Sequence, residues 1–226
     1  MAHTRGQLMS NLYGDQHFAF QDKFDTRNMA ERIGQIIVAE EMDDQHKGFI
    51  ESRDLFFLTT IDHRGFPSCS YKGGTVGFVK VLDSKTIVFP SYDGNGMFLS
   101  MGNITNNNKV GLLFIDFETP HRLRVHGEAT VSDNDPLLAD FFGAELLVRV
   151  TISEVFINCP RYIHRYQRLQ ISKYAPQCDK ATPLPQWKRI DALQDVLPKR
   201  DQNTAETLGG TITPEEYGAM VMGGDA

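Results

Sequence analysis

Cysteine, positive charge and long apolar runs are all scarce in this sequence. Cysteine occurs three times in 226 residues, an odd number without a CxxC pair, so neither a disulfide framework nor a cysteine-rich zinc site is expected. We expect Cys69, Cys159 and Cys178 to be small buried or half-buried apolar residues. The formal net charge of −6 argues against a general role on nucleic acids or membrane surfaces.

Apolar segments of membrane-span length are missing as well. Residues 1–20 lack the uninterrupted apolar core of a signal peptide. The sequence therefore favours a protein without a membrane partner, in the reducing cytoplasm.

The short motifs of several enzyme classes are also absent. There is no HExxH, no GxSxG, no GxGxxG and no Walker loop, so metal-assisted hydrolysis, acyl transfer and nucleotide hydrolysis lose support. His121 and His126 are five residues apart in a predicted strand and point to opposite faces, and no metal site is expected. Any nucleotide cofactor must be held by an architecture other than a Rossmann fold.

Three stretches of the chain differ in pattern. Residues 1–27 are polar without a clear period, which predicts a flexible N-terminal arm or one that orders against another surface. Residues 28–170 carry the regular patterns and are predicted to form the main domain. Residues 171–226 contain several prolines and predict an extended, partly ordered C-terminal extension.

Helical periodicity begins near Met29. Met29, Ile33, Ile36 and Ile37 fall on one stripe, opposite polar residues. Further short helices are predicted over residues 43–51, 96–104, 135–142 and 160–169.

Strand signals dominate the middle of the chain. Aromatic and β-branched runs between turn residues predict strands over residues 55–61, 66–72, 76–82, 86–90, 109–116, 121–132 and 145–158. Six or seven closely spaced strands are typical of an antiparallel barrel. The predicted fold class is therefore mainly β, an antiparallel β-barrel with peripheral helices.

The second predicted strand has an unusual polar face. Ser68, Ser70 and Lys72 alternate on one side, with Cys69 and Tyr71 on the other. Two hydroxyls and an ammonium in a row can hold an anion or a sugar phosphate, because lysine offers a point charge with three donors. An ordinary solvated face explains the pattern equally well.

A second polar face follows on the strand over 121–132. Arg122, Arg124 and His126 share one side, while Leu123 and Val125 share the other and are expected in the core. The cationic side would then lie outside the barrel, where a partner subunit or an anionic ligand could cover it. A solvated face is again the alternative.

A glycine-containing loop precedes the helix predicted over 96–104. It consists of Asp93, Gly94, Asn95, Gly96 and Met97. Free amides at a helix start favour an anion, and glycine permits close backbone approach. Asp-Gly and Asn-Gly are also common in plain turns. Together with the two polar strands, the loop would complete a site for one phosphate and one planar, hydrogen-bonding ring.

Four stretches resemble the pyridoxamine 5'-phosphate oxidase-like family of FMN-binding split barrels, in particular its flavin-nucleotide-binding branch. They are FIESRDLFFLTTIDHRGFPSCSYKGG, FPSYDGNGMFLSMGNI, NNNKVGLLFIDFETPHRLRVHGEA and VFINCPRYIHRY. Their order and spacing carry the resemblance, which covers about residues 45–168.

The resemblance implies a six-stranded antiparallel split β-barrel and a homodimer with two FMN molecules between its subunits. It implies that Ser70, Tyr71 and Lys72, and the loop from Asp93 to Met97, contact the phosphate and ribityl groups. Arg122 matches a polar flavin contact, and Arg124 follows two residues later.

The sequence also departs from the oxidase itself. Pro67 stands where the oxidase has arginine, and Asn95-Gly96-Met97 stands where it has a Ser-Arg-Lys cluster. Fewer cations are therefore available for a phosphate, which disfavours pyridoxamine-phosphate oxidation more than FMN binding, since backbone amides also bind anions.

A flavin-dependent oxidoreductase acting on an unidentified small substrate is the function that the sequence favours. The alternatives are a non-catalytic flavin-binding or sensing module, a split barrel that holds F420 or haem, and a dimeric scaffold without a small ligand. Haem would need an axial ligand, for which His121, His126 and His164 are the candidates.

Two residues outside these patterns have open roles. Cys159 is expected to be structural rather than redox-active, with Pro160 beginning the following helix. Trp187, the only tryptophan, could cover the flavin or a neighbouring subunit, or pack on the surface.

Overall fold

The computed structural model describes residues 12–224, which form six α-helices and eight β-strands. The helices are α1 (Asp15–Lys23), α2 (Arg27–Ile37), α3 (Asp44–Glu51), α4 (Leu99–Asn106), α5 (Thr204–Thr207) and α6 (Pro214–Gly223). The strands are β1 (Val38–Ala39), β2 (Leu55–Ile61), β3 (Pro67–Gly73), β4 (Lys80–Asp83), β5 (Thr86–Tyr92), β6 (Lys109–Asp116), β7 (His121–Ser132) and β8 (Ala144–Ile157).

All of the strands belong to one antiparallel sheet. Its order is β3-β2-β6-β7-β8-β5-β4, and the short β1 pairs with β8. The fold is the predicted mainly β split barrel with peripheral helices. The strand count was underestimated, because β1 has only two residues and carries no alternating pattern.

Strict alternation of side chains builds the barrel core. In β2 the residues Phe56, Leu58 and Thr60 are buried while their neighbours are half-buried, as period-two patterning requires. Each strand from β2 to β8 sends apolar side chains into the same cluster, and α4 adds Met101 and Ile104. One face of the sheet therefore surrounds the core, and we call the opposite side the outer face.

The β2–β3 hairpin sets the register of the polar strand. Its turn is held by Asp62, whose carboxylate accepts hydrogen bonds from the backbone amides of Arg64 and Phe66, both at 2.9 Å. Gly65 takes the left-handed conformation there, with φ +88°. As a result Ser70 lies opposite Leu58 and Lys72 lies opposite Phe56.

The N-terminal region is more regular than predicted. Asp15–Lys23, within the segment expected to be a flexible arm, forms α1, although none of its residues is buried. Residues 1–11 of that segment lie outside the described part of the chain. The predicted apolar stripe of α2 exists but is largely exposed: Ile36 is 73% and Met29 is 58% exposed.

Several smaller predictions were wrong. The helix expected over 135–142 is only a 3-10 turn, Leu138–Asp140, and no helix follows Pro160. All three cysteines are exposed rather than buried, because Cys69 falls on the outer face of an edge strand and the other two lie outside the strands.

The chain divides into two compact units, one that ends at Gln170 and one that begins at Ile171. Within the second unit, Lys188 and Asp201 form a buried ion pair at 2.9 Å. Trp187 belongs to a 3-10 turn of this unit, Gln186–Arg189, and is half-buried. In residues 12–224, none of the helices combines the length and apolarity needed to cross a bilayer.

Candidate functional site

The polar face of β3 points toward helix α4. Lys72 Nζ donates a hydrogen bond to Ser100 Oγ at 3.3 Å, and the hydroxyls of Ser70 and Ser100 are 3.1 Å apart. Ser70 Oγ also lies 3.4 Å from the carbonyl oxygen of Leu58. We call Ser70, Lys72 and Ser100 the β3–α4 cluster. Ser68 shares the same face, one step along the strand.

Ser100 is buried in the first turn of α4. Because the first amides of a helix have no intrahelical carbonyl to bind, those of Leu99, Ser100 and Met101 are available at this end. The first intrahelical bond is the one from the Gly102 amide to the Phe98 carbonyl, at 2.8 Å. The Lys72 ammonium thus lies at the positive end of a helix.

The charge of Lys72 is not balanced by an acid. Burial lowers the pKa of Lys72 from its ordinary value, because a half-buried ammonium loses hydration. Among residues 12–224, no carboxylate oxygen lies within 4.0 Å of its ammonium nitrogen. An ammonium and a helix N-terminus without an acidic partner favour an anion between them.

A buried hydrogen bond anchors α4 beside β2. Asn103 Nδ2 donates to Thr60 Oγ1 at 3.0 Å, and Thr60 is only 1% exposed. Ser100 and Asn103 are three residues apart and therefore lie on the same side of α4. Sequence reasoning missed Ser100, Asn103 and Thr60; the i, i+3 pair of polar residues in a short apolar helix was the signal that could have found the first two.

The loop before α4 differs from its predicted form. The helix begins at Leu99 rather than at Gly96, because Gly96 and Phe98 adopt left-handed conformations with φ +75° and +47°. The amide of Met97 is already bound to Asn95 Oδ1 at 3.1 Å. The helix-start amides therefore belong to residues 99–101, while Asp93, Gly94, Asn95, Gly96 and Met97 are exposed.

Tyr92 ends β5 immediately before this loop. Its side chain is half-buried, and burial raises the pKa of its phenol to about 12. The phenol is therefore neutral at physiological pH and can donate a hydrogen bond beside the loop.

The arginines of β7 lie on the outer face, as their alternation predicted, since Leu123 and Val125 are buried in the core. Arg122 donates from a terminal nitrogen to the carbonyl oxygen of Cys159 at 3.0 Å, which ties β7 to the segment after β8. Arg124 is exposed and lines a groove.

That groove, which we call the outer-face groove, crosses β2, β6 and β7 and has a volume of about 580 Å³. Thr59, Gly111, Leu113, Arg124 and His126 are among its lining residues. His126 Nδ1 lies 2.7 Å from Glu154 Oε1 of the neighbouring strand β8.

One protomer therefore separates the predicted site residues into two groups. Cross-strand pairing runs from Arg124 through Leu113 and Phe57 to Tyr71, so Tyr71 and the arginines share the outer face. Ser68, Ser70 and Lys72 lie on the other side, with α4. Within the described chain, the structure does not bring the lysine and the arginines to one point.

The fold and the β3–α4 cluster define a split barrel with an anion-binding site at a helix start. Comparison with protein families assigns residues 42–159, more than half of the chain, to the model described as pyridoxamine 5'-phosphate oxidase. The chain belongs to this family, as its four sequence stretches predicted. A comparison with curated proteins gives no match.

Solved structures with a similar fold include three that illustrate the range. A putative pyridoxamine 5'-phosphate oxidase from Lactobacillus delbrueckii is 24% identical, with a TM-score of 0.43, over 52% of this chain and 95% of that one. HupZ from Group A Streptococcus is 18% identical, with a TM-score of 0.43, over 51% and 94%.

The third is an FMN-binding protein from Syntrophomonas wolfei, 8% identical, with a TM-score of 0.42, over 62% of this chain and 97% of that one. At these identities and TM-scores, the three likenesses decide nothing about what this chain binds.

Proposed function

We propose that this protein binds FMN and uses it as a flavin-dependent oxidoreductase on a small substrate. The observation that carries the proposal is Lys72: a half-buried ammonium, beside two hydroxyls and a helix start, with no carboxylate partner in residues 12–224. A phosphate monoester supplies the missing negative charge and can accept hydrogen bonds from all of these donors.

The cluster can hold a phosphate with a single cation. The amides of residues 99–101 and the hydroxyls of Ser70 and Ser100 provide neutral donors around Lys72. Backbone amides at a helix start stabilise an anion without a further cation. This arrangement compensates for the arginine and the Ser-Arg-Lys cluster that the oxidase has and this sequence lacks.

Family membership supports a flavin as the compound that carries the phosphate. When bound, the flavin would supply the electron-transfer chemistry, while the chain binds it, orients it and shapes its electrostatic surroundings. Tyr92 and the exposed loop from Asp93 to Met97 border the start of α4, where they would meet the ribityl part of the ligand.

We further propose that the functional unit is a homodimer. The polar flavin contact expected at Arg122 lies on the face opposite the β3–α4 cluster, so only a second subunit would bring the two together. The exposed apolar stripe of α2 supports an assembly, since a contiguous apolar patch is typical of an interaction surface.

The visible spectrum of the purified full chain tests the cofactor. We expect flavin absorption, either as isolated or after addition of FMN, and release of FMN on denaturation. A protein that is colourless and takes up no FMN would contradict the proposal. A haem spectrum, or uptake of a deazaflavin but not of FMN, would instead favour the alternative ligands.

Reduction of the bound flavin tests the enzymatic part separately. We expect NADH or NADPH to bleach the flavin anaerobically, and oxygen or another acceptor to restore it. Bound FMN that neither nicotinamide reduces would favour a binding or sensing module instead.

A further inference from the structure

A glycine lies at the floor of the outer-face groove, in the middle of β6. A Cβ atom added to Gly111 would sit 3.8 Å from His126 Cδ2 and 3.8 Å from Thr59 Cβ, so the residue separates these two side chains without crowding either. The pairing of β6 with β2 and β7 is regular at Gly111. Because glycine weakens a strand, its presence outside a bulge indicates that a ligand or another backbone approaches closely.

Beside this floor, His126 is held in one orientation. Glu154 Oε1 lies 2.7 Å from Nδ1, and the ring packs edge-on against Phe156 with centroids 5.4 Å apart. A carboxylate only accepts hydrogen bonds, so Nδ1 carries the hydrogen, and Nε2 of the neutral ring is left as an acceptor. Cδ2 faces Gly111, so the adjacent Nε2 lies on the groove side of the ring.

Arg124 precedes His126 by two residues on the same face of β7. Its guanidinium is exposed, and no ion pair or side-chain hydrogen bond engages it within residues 12–224. Side chains two residues apart on a strand are separated by about 7 Å, which is the span of a molecule with about three or four carbons. Leu113 and Ile61 give the groove an apolar wall between the polar ends.

We propose that the outer-face groove is a binding site for a small hydroxy- or amino-substituted carboxylate or phosphate. Arg124 binds the oxyanion, Nε2 of His126 accepts a hydrogen bond from the hydroxyl or amine, and the carbon chain lies over Gly111. Glu154 acts through His126 as a positioning residue. The site does not depend on the flavin, because the β3–α4 cluster is on the opposite side of the sheet.

Ligand titration of the full-length protein, followed by the NMR signals of the His126 ring, tests the site. The probes are 4-hydroxybutyrate and glycerol 3-phosphate, which separate a carboxylate from a phosphate ligand, and butyrate, which lacks the donor. We expect at least one of the first two to shift the His126 signals saturably, and butyrate to bind about tenfold more weakly than 4-hydroxybutyrate if the carboxylate is preferred.

Variants localise the effect. Arg124→Gln and His126→Phe should each weaken binding about tenfold or more, whereas Arg64→Gln makes the same charge change on the distant β2–β3 hairpin and should leave it unchanged. Gly111→Leu should abolish binding by filling the floor. Lys72→Met should leave probe binding intact, so failure of this proposal and failure of the flavin proposal are distinguishable.

Three results would overturn the proposal. The first is that neither 4-hydroxybutyrate nor glycerol 3-phosphate shifts the His126 signals. The second is that Arg64→Gln weakens binding as much as Arg124→Gln does, which would indicate a general charge effect. The third is that Gly111→Leu dissociates a dimer while no probe binds, which would make the groove an interface between copies of this chain.

Discussion

Lys72 and Arg124 lie on opposite faces of one antiparallel sheet. Arg124 pairs across the strands with Leu113, and that series continues through Phe57 to Tyr71, the neighbour of Lys72 on β3. Because successive residues of a strand point to opposite sides, Lys72 faces α4 while Arg124 faces outward. The protein therefore has two separate polar surfaces, one with a cation at a helix start and one with a cation at an open groove.

Replacement of Lys72 by methionine should weaken FMN binding. Loss of a charge-assisted hydrogen bond to phosphate predicts a decrease of about tenfold or more in affinity, measured by the quenching of flavin fluorescence. Lys85→Met is the matched control, because Lys85 is exposed and pairs only with Glu41, at 3.4 Å. Equal affinities for the two variants would remove Lys72 from the site.

The same lysine predicts how FMN binding depends on pH. An anion binds the charged form of Lys72, and burial lowers the pKa of that group below its ordinary value of 10.5. As pH rises through this lowered pKa the ammonium loses its proton, so affinity should fall at alkaline pH, before an exposed lysine would titrate. Titrations between about pH 7 and about pH 10 should show the fall in the wild type and not in Lys72→Met.

Two glycines of the sheet should respond oppositely to alanine. A Cβ atom at Gly127 would lie 2.4 Å from the carbonyl oxygen of Thr151, a backbone atom that cannot rotate away, whereas at Gly111 the nearest atoms are at 3.8 Å. Gly127→Ala should therefore lower the free energy of unfolding by about 1–3 kcal/mol. Gly111→Ala should change it little. Denaturant unfolding measures both, and equal stabilities would contradict the close packing at the β7–β8 bulge.

Asp135 and Arg149 should make stability depend on acid pH. Arg149 donates two hydrogen bonds to the Asp135 carboxylate, which lowers the pKa of Asp135 below its ordinary value of 3.8. A lowered carboxyl pKa adds stability above 3.8 that is lost as pH falls through the folded-state pKa. Asp135→Asn should therefore lower the melting temperature at pH 7 more than near pH 3.

Asp133→Asn is the control for this comparison, because Asp133 is exposed two residues away. A pH-independent loss of stability in Asp135→Asn would show that the charge of the pair contributes nothing.

An acidic residue in the apolar stripe of α2 should weaken the proposed homodimer. Ile33 and Ile36 are 42% and 73% exposed, and a charge between apolar helices is costly to bury. Sedimentation should show a dimer for the wild type and a shift toward monomer for Ile33→Asp, with Gln35→Asp unchanged. A wild-type monomer, or a dimer insensitive to Ile33→Asp, would exclude this surface.

Local patterns were sufficient to predict the sheet. The strands over 109–116 and 121–132 match β6 and β7 in full, since their alternation, aromatic content and turns are all short-range features. The hairpin at Gly65 and the cap of α3 at Asp43 are equally local, because each is decided within a few residues. The resemblance that identified the family rests on the same stretches.

The candidate site was predictable only in part. Ser70 and Lys72 were found because a strand displays its polar residues at a fixed period. Ser100 was missed, because its place beside them depends on where α4 begins and on how that helix packs against β2. The start of α4 depends in turn on the left-handed backbone of Phe98, a conformation that its residue type does not favour.

The sequence by itself therefore determined the mainly β class, the order of the strands and which side chains share a face, because these follow from short-range periodicity. Only the tertiary structure decided which faces meet. It placed Lys72 against Ser100, turned Arg124 away into the outer-face groove, and left the apolar stripe of α2 exposed. Each of these outcomes depends on contacts between residues far apart in the chain, whose geometry no local pattern encodes.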